Sequence, residues 1–186
     1  MKVSGSSVLK LFKVPPAQAQ KYHFHAVALK EKLVKPDVEG FPVLECNDGR
    51  FFLEFQGYRD KFIRHRLIAE VFLACASEQY EGWVVAGIIY TDAKYQSIAL
   101  PLNTFKDVND CQMNTCFQEI VLTDYTESKL LSIDPKLIVL APFTLATATK
   151  KETVLLKGQE WRDSITQTFS PDQQGASIKR FGFIRA

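Results

Sequence analysis

No run of 18 apolar residues, the length that reads as a membrane helix, occurs in this chain, and its amino terminus has no long apolar stretch. Neither a membrane span nor a secretory signal peptide is therefore expected. Charge of one sign is equally scarce: 23 Lys and Arg face 21 Asp and Glu, for a formal net charge of +2 at pH 7. Bulk attraction to a polyanion is excluded, so any nucleic-acid contact must come from local placement of charge. Only four cysteines (Cys46, Cys75, Cys111, Cys116) and three histidines (His23, His25, His65) are available. The cysteine spacings fit no zinc site, and no third ligand accompanies His23 and His25. The cysteines are read as reduced thiols of a cytoplasmic protein. Also missing are a P-loop, a dinucleotide glycine fingerprint, a Gly-x-Ser-x-Gly elbow and a His-Glu-x-x-His pair.

What remains is a chain of ordinary globular composition, 186 residues with 46% hydrophobic and 24% charged. That is enough for one good core and short for two domains. Ser6 and Ser7 precede Val8, Leu9, Leu11 and Phe12, a short capped helix that Val14-Pro15-Pro16 stops. Residues 22–34 alternate loosely and read as a strand or bent strand pair. Phe41 to Cys46 is a second strand, and Phe51 to Gln56 returns beside it through Asn47-Asp48-Gly49, residues that tolerate positive φ. A helix over about 60–77 places Ile63, Leu67, Val71 and Ala74 on one stripe, which also takes in Glu70. Trp83 to Tyr90 is a continuous apolar run, as expected of a strand covered on both faces. Phe117 to Leu122 reads as another buried strand. Residues 137–148 and 151–168 are helix candidates, 170–177 a loop, and 181–184 a last short strand or loose end. This order implies a mixed central sheet flanked by helices, an α/β fold in one domain.

The densest chemical information lies between Pro36 and Gln56. Strand side chains alternate, so Phe52, Glu54 and Gln56 share one face while Phe51, Leu53 and Phe55 share the other. A carboxylate set among phenylalanines costs free energy unless it is paired or holds a metal. Asp37 precedes the hairpin, whose folding would bring its carboxylate toward Glu54. Two carboxylates meeting at a strand edge suit a hard cation such as magnesium.

These residues carry a family likeness. The run from Tyr22 to Leu73 resembles the PD-(D/E)xK nuclease superfamily. More narrowly, it is similar to a group of transposase-like bacterial proteins related to the Rpn recombination-promoting nucleases, with an E-x-Q motif. The matching features are Tyr22 with Phe24, Lys30-Glu31, the run from Lys35 through Pro36 and Asp37 to Gly40, and Phe52-Leu53-Glu54-Phe55-Gln56. Arg66-Leu67-Ile68-Ala69-Glu70 and Trp83-Val84-Val85 follow in order. The likeness weakens toward Asp124, and residues 125–186 are expected to form a poorly matched, mostly helical extension of one domain. One departure stands out: the third motif position, usually Lys, is Gln56.

The resemblance implies a restriction-endonuclease-like fold and metal-dependent hydrolysis of DNA phosphodiester bonds, in recombination or mobile-element transposition. Asp37, Glu54 and the carbonyl of Phe55 would hold Mg2+ or Mn2+, with Glu31 a distal candidate. Gln56 would orient a water or a phosphate oxygen, but it brings no positive charge. Arg66 is the candidate for the missing cation. Lys30, Lys32 and Lys35, with Tyr58, Arg59, Lys61, Arg64, His65 and Arg66, would form a rim for phosphate backbones. Cutting both strands with one such site would be easiest for a homodimer, although no dimer face is legible.

Each assignment has a plainer competitor. Glu54 reads also as a sheet residue paired with Lys or Arg, Asp37 as a turn former, and Gln56 as a structural hydrogen-bonding group, while Glu31 reads first as a solvated edge charge. Arg66 and Glu70, one helical turn apart, read also as an intrahelical pair, and the basic cluster as a solvated helix face. A catalytically weak nuclease fold that binds nucleic acid or a protein, and an interaction module without nucleic acid, are the alternative functions.

Overall fold

The structure, a computed structural model, describes residues 5–27, 41–96, 117–145 and 151–170. Their centre is a five-stranded mixed sheet: β1 (His23–Val27), β2 (Phe41–Cys46), β3 (Gly49–Gln56), β4 (Val84–Tyr90) and β5 (Phe117–Val121), in that spatial order. β2 runs antiparallel to both β1 and β3, whereas β3, β4 and β5 are mutually parallel. The β2–β3 hairpin closes through Asn47 and Asp48, with Cys46 opposite Gly49. Gly49 takes φ +152°, and a Cβ there would lie 2.9 Å from the Trp83 carbonyl, so glycine is required for both reasons.

Helices cover both faces. Helix α3 (Ile63–Glu78) crosses from β3 to β4 and packs Ile63, Leu67, Val71 and Ala74 on Phe52, Ala86, Ile88 and Tyr90. The other face receives α1 (Gly5–Leu11), followed by the single turn α2 (Pro16–Ala19), and then α4 (Glu127–Ile133) with a 3₁₀ stretch over Pro135–Thr144. Leu9, Phe51, Leu53, Ile89, Leu130 and Leu137 meet there. Helix α5 (Lys151–Thr168) seats Trp161 and Ile165 against Ile138 and Ala141. The expected class, an α/β fold with a mixed sheet flanked by helices in one domain, is what these residues form. The carboxy-terminal part is helical as far as it is described.

Local differences from the sequence reading have identifiable causes. Helix α3 begins at Ile63 because Asp60 accepts a hydrogen bond from the Phe62 amide (2.8 Å), fixing a turn first. The stretch read as a helix over 137–148 is 3₁₀ over Pro135–Thr144, where Pro142 lacks the amide an α-helix would use. Helix α1 starts at Gly5, so Ser7 is inside it and buried rather than capping it. Trp83 lies just outside β4 and is 83% exposed. Among the described residues Cys46 and Cys75 are free thiols. Cys111, Cys116 and the readings over 28–34, 171–177 and 181–184 lie outside the described residues. No described helix is long and apolar enough to cross a membrane.

Gly87 of β4 sets how closely α1 approaches the sheet. A Cβ there would stand 2.7 Å from Leu53 Cδ2 and 2.9 Å from the Phe12 ring. Gly87→Ala is expected to lower stability by about 1–3 kcal/mol through overpacking. Urea unfolding checks this, and an unchanged midpoint would refute the close packing.

Candidate functional site

Strands β3, β4 and β5 are parallel, so their carboxyl ends lie at one edge of the sheet, where ligands commonly bind in open α/β sheets, and α3 covers the face considered next. Glu54 pairs in register with Ile88, which pairs with Glu119, so these three residues form one row across β3, β4 and β5. Gln56, Tyr90 and Val121 form the next row toward the strand ends. Strand alternation puts Phe52, Glu54 and Gln56 on this face, as the sequence pattern indicates.

Helix α3 lays its first turns over the row. Arg66 Nη2 lies 3.2 Å from Glu54 Oε1 and 3.2 Å from Asp60 Oδ2. Arg64 forms a bidentate pair with Glu119, at 2.6 and 3.0 Å. Gln96 also donates to Glu119 (3.1 Å), and the Tyr90 hydroxyl approaches it at 3.4 Å. Residues two apart on a helix point about 200° apart, so the arginines diverge to carboxylates on either side of Ile88.

Glu70 sits in the apolar stripe of α3 and is only 6% exposed. Burial, and then the neighbouring charge of Glu54, push its carboxyl up to about 7, with Arg66 opposing. Glu54 is also raised, chiefly by burial and partly by Asp60, with Arg66 pulling it back. The two acids thus lie within each other's field beside one guanidinium, and at neutral pH the pair holds part of a proton. Gln56 is wholly buried. Its Nε2 donates to the Tyr58 carbonyl at 2.5 Å, while Oε1 has no hydrogen-bond partner among the described residues.

The sequence-derived candidates divide accordingly. Glu54, Gln56 and Arg66 are brought together. The Phe55 side chain points to the other face, as β alternation requires, and is 36% exposed. Tyr58 and Arg59 are exposed in the loop before α3, and Arg64 is engaged by Glu119. Lys30, Glu31, Lys32, Lys35 and Asp37 lie outside the described residues. The sequence reading missed Glu119 and Asp60; it placed Glu70 in the apolar stripe and in the Arg66–Glu70 motif, with an intrahelical pair as the plainer reading, and gave it no part in the site. The available signal for Glu70 was an acid inside an apolar stripe; Glu119 gave none, because the strand beneath Arg64 is chosen by topology. A cleft of about 350 Å³ between α1 and the hairpin, lined by Phe12, Tyr22 and Trp83, lies at the opposite end of β3 and on the opposite face.

No three His, Cys, Asp or Glu side chains among the described residues cluster as a ready metal cage. Beside Asp60 and Glu119, which arginines hold, this face offers Glu54, Glu70 and the Gln56 Oε1 that has no hydrogen-bond partner among the described residues. Magnesium suits so sparse a set, because it commonly takes one or two carboxylates and keeps its waters.

A raised carboxyl pKa means that the folded state holds its proton longer than the unfolded chain does. Stability from Glu70 is then fully present below about pH 4.5 and is lost as pH rises through about 7. Glu70→Gln should flatten the decline in stability between pH 5 and 8, by about 1–3 kcal/mol. Some slope persists because Glu54 acts in the same direction. Urea midpoints across that range check this; parallel curves for variant and wild type would exclude a buried, proton-holding Glu70.

Comparison with known proteins adds one relationship. Residues 2–175 match the model of a family described as "Protein of unknown function (DUF2887)". No curated protein and no solved structure matches the chain. Because the match runs over nearly the whole length, the chain belongs to the DUF2887 family.

Proposed function

We propose that the protein is a divalent-cation-dependent phosphodiester hydrolase acting on DNA, of the PD-(D/E)xK kind that its sequence resembles. The observation that carries this reading is the carboxylate pair Glu54 and Glu70, crowded at the end of a parallel strand with Glu70 pushed up to about 7. Such crowding is costly without a cation and is relieved by one. Glu54 and Glu70 would hold Mg2+ or Mn2+ together with the Phe55 carbonyl, and Asp37, outside the described residues, is the expected further ligand. When bound, the ion supplies a water of lowered pKa and counter-charge for the phosphate.

The chain's own residues have distinct parts. Arg66 bridges Glu54 and Asp60, so an ion accepted by Glu54 would free the guanidinium to meet a phosphate oxygen. That gives the site the cation that Gln56 cannot provide. Glu119, by gripping Arg64, fixes the first turn of α3 and hence the position of Arg66. Gln56 holds the strand end through the Tyr58 carbonyl.

A second reading, a nuclease fold that binds nucleic acid or a protein but cuts weakly or not at all, draws on Gln56. Its burial and its commitment to a main-chain carbonyl fit a structural hydrogen bond. Glu54 paired with Arg66 is likewise the arrangement of an ion-paired sheet residue.

Plasmid nicking in Mg2+ or Mn2+ separates the two readings. The wild type should nick, and Glu54→Ala should lose roughly a thousandfold, several kcal/mol of barrier. Asp37→Ala should fall similarly. Absence of metal-dependent nicking by folded wild type would leave only the binding reading.

A further inference from the structure

The loop joining β3 to α3, Gly57-Tyr58-Arg59-Asp60-Lys61-Phe62, is fixed in its backbone yet turns two aromatic rings outward. At its start, Gln56 Nε2 donates to the Tyr58 carbonyl (2.5 Å), and the Thr91 amide donates to the Gln56 carbonyl (3.0 Å). At its end, the Phe62 amide donates to Asp60 Oδ1 (2.8 Å), and the Arg66 amide donates to the Phe62 carbonyl (2.8 Å). Tyr58 remains 59% exposed and Phe62 67% exposed. Phe62 is braced edge-on by His65, with ring centroids 5.6 Å apart.

Burying a large aromatic ring is favourable, so a fixed loop that leaves two of them in water keeps binding energy in reserve. The charges of the loop narrow the occupant. Asp60 is turned inward to Arg66, while Arg59 and Lys61 are exposed between the two rings. The outward surface is therefore aromatic and positive, complementary to a polymer of flat bases and phosphates. A duplex hides its base faces by stacking them on one another and offers mainly phosphates to Lys and Arg. Unpaired bases present their faces to aromatic side chains. The loop also begins immediately after Gln56 and ends at the helix that carries Arg66. A base resting on either ring would thus sit on the segment that joins the strand of Glu54 to the helix of Arg66.

We propose that loop 57–62 is a stacking platform for unpaired bases, so that the site takes single-stranded or locally unpaired polynucleotide in preference to intact duplex. This rests on the reading of the Glu54 end as a phosphodiester site and specifies its substrate class. Arg59 supplies backbone attraction common to any polynucleotide, whereas Tyr58 and Phe62 supply the discrimination.

The test is fluorescence anisotropy of the full chain with a labelled single-stranded oligonucleotide and the duplex of the same sequence, in EDTA so that binding is read without cleavage. The single strand should bind more tightly. Tyr58→Ala and Phe62→Ala should each weaken single-strand binding about tenfold or more and leave duplex binding nearly unchanged, since one stack is worth about 1–3 kcal/mol. Tyr58→Phe should retain the preference. Arg59→Ala should weaken both forms alike and lower the salt dependence. Equal affinity for the two forms, or alanine variants that bind both as the wild type does, overturns the platform. So does a protein that binds neither form, which makes the rings a docking point for a protein. Plasmid nicking is read separately. Metal-dependent nicking that is indifferent to Tyr58 and Phe62 removes the platform but leaves the hydrolase. Ring-dependent single-strand binding without nicking keeps the platform and removes the hydrolase.

Discussion

Two carboxylates enclosed between a sheet and a helix cannot both carry full charge cheaply, and that constraint organises one end of this molecule. Glu54 comes from β3 and Glu70 from the apolar stripe of α3. Their burial raises both carboxyls, and Arg66 offsets only part of the cost. The protonated form of Glu70 is the one the packed stripe accommodates, so the charge at position 70 is set by the packing of helix on sheet.

The arginines of α3 explain how such a helix stays in register over the sheet. Arg64 and Arg66 are separated by 200° around the helix axis, and they reach Glu119 and Glu54 on strands that flank β4. Both acids lie in one row with Ile88, so the pair acts as a two-point clamp on the first turn. At the other end of α3, Arg50 is buried and ion-paired with Glu45 (2.9 Å) and Glu78 (2.6 Å), with its guanidinium over the Tyr80 ring. The helix is therefore tied at both ends by arginine, with aliphatic packing between. Ion pairs of this kind add modest stability but define geometry closely.

Clamp, acid pair and aromatic loop belong to one continuous piece of chain. Residues 54–70 supply Glu54, Gln56, Tyr58, Asp60, Phe62, Arg64, Arg66 and Glu70. Asp60 is the junction: one oxygen stops the loop by accepting the Phe62 amide, and the other binds Arg66. Whatever moves Arg66 thus acts on both the acid pair and the loop.

Alternation along 51–56, the turn residues Asn47-Asp48-Gly49 and the stripe of 63–74 determined the hairpin, the helix and the faces of Glu54 and Gln56, because periodicity and positive-φ tolerance are local properties. The bounds of β2 and of α5 were legible for the same reason. Tertiary structure alone decided which strand lies beneath Arg64, that Glu54 rather than Glu70 pairs with Arg66, and that Gln56 is sealed from solvent. Those outcomes depend on strand order and on the depth of burial, which join residues as distant as Arg64 and Glu119. The pKa of Glu70 belongs to the same class: an acid in a stripe is visible in the letters, but the field of Glu54 upon it exists only once helix and sheet are packed.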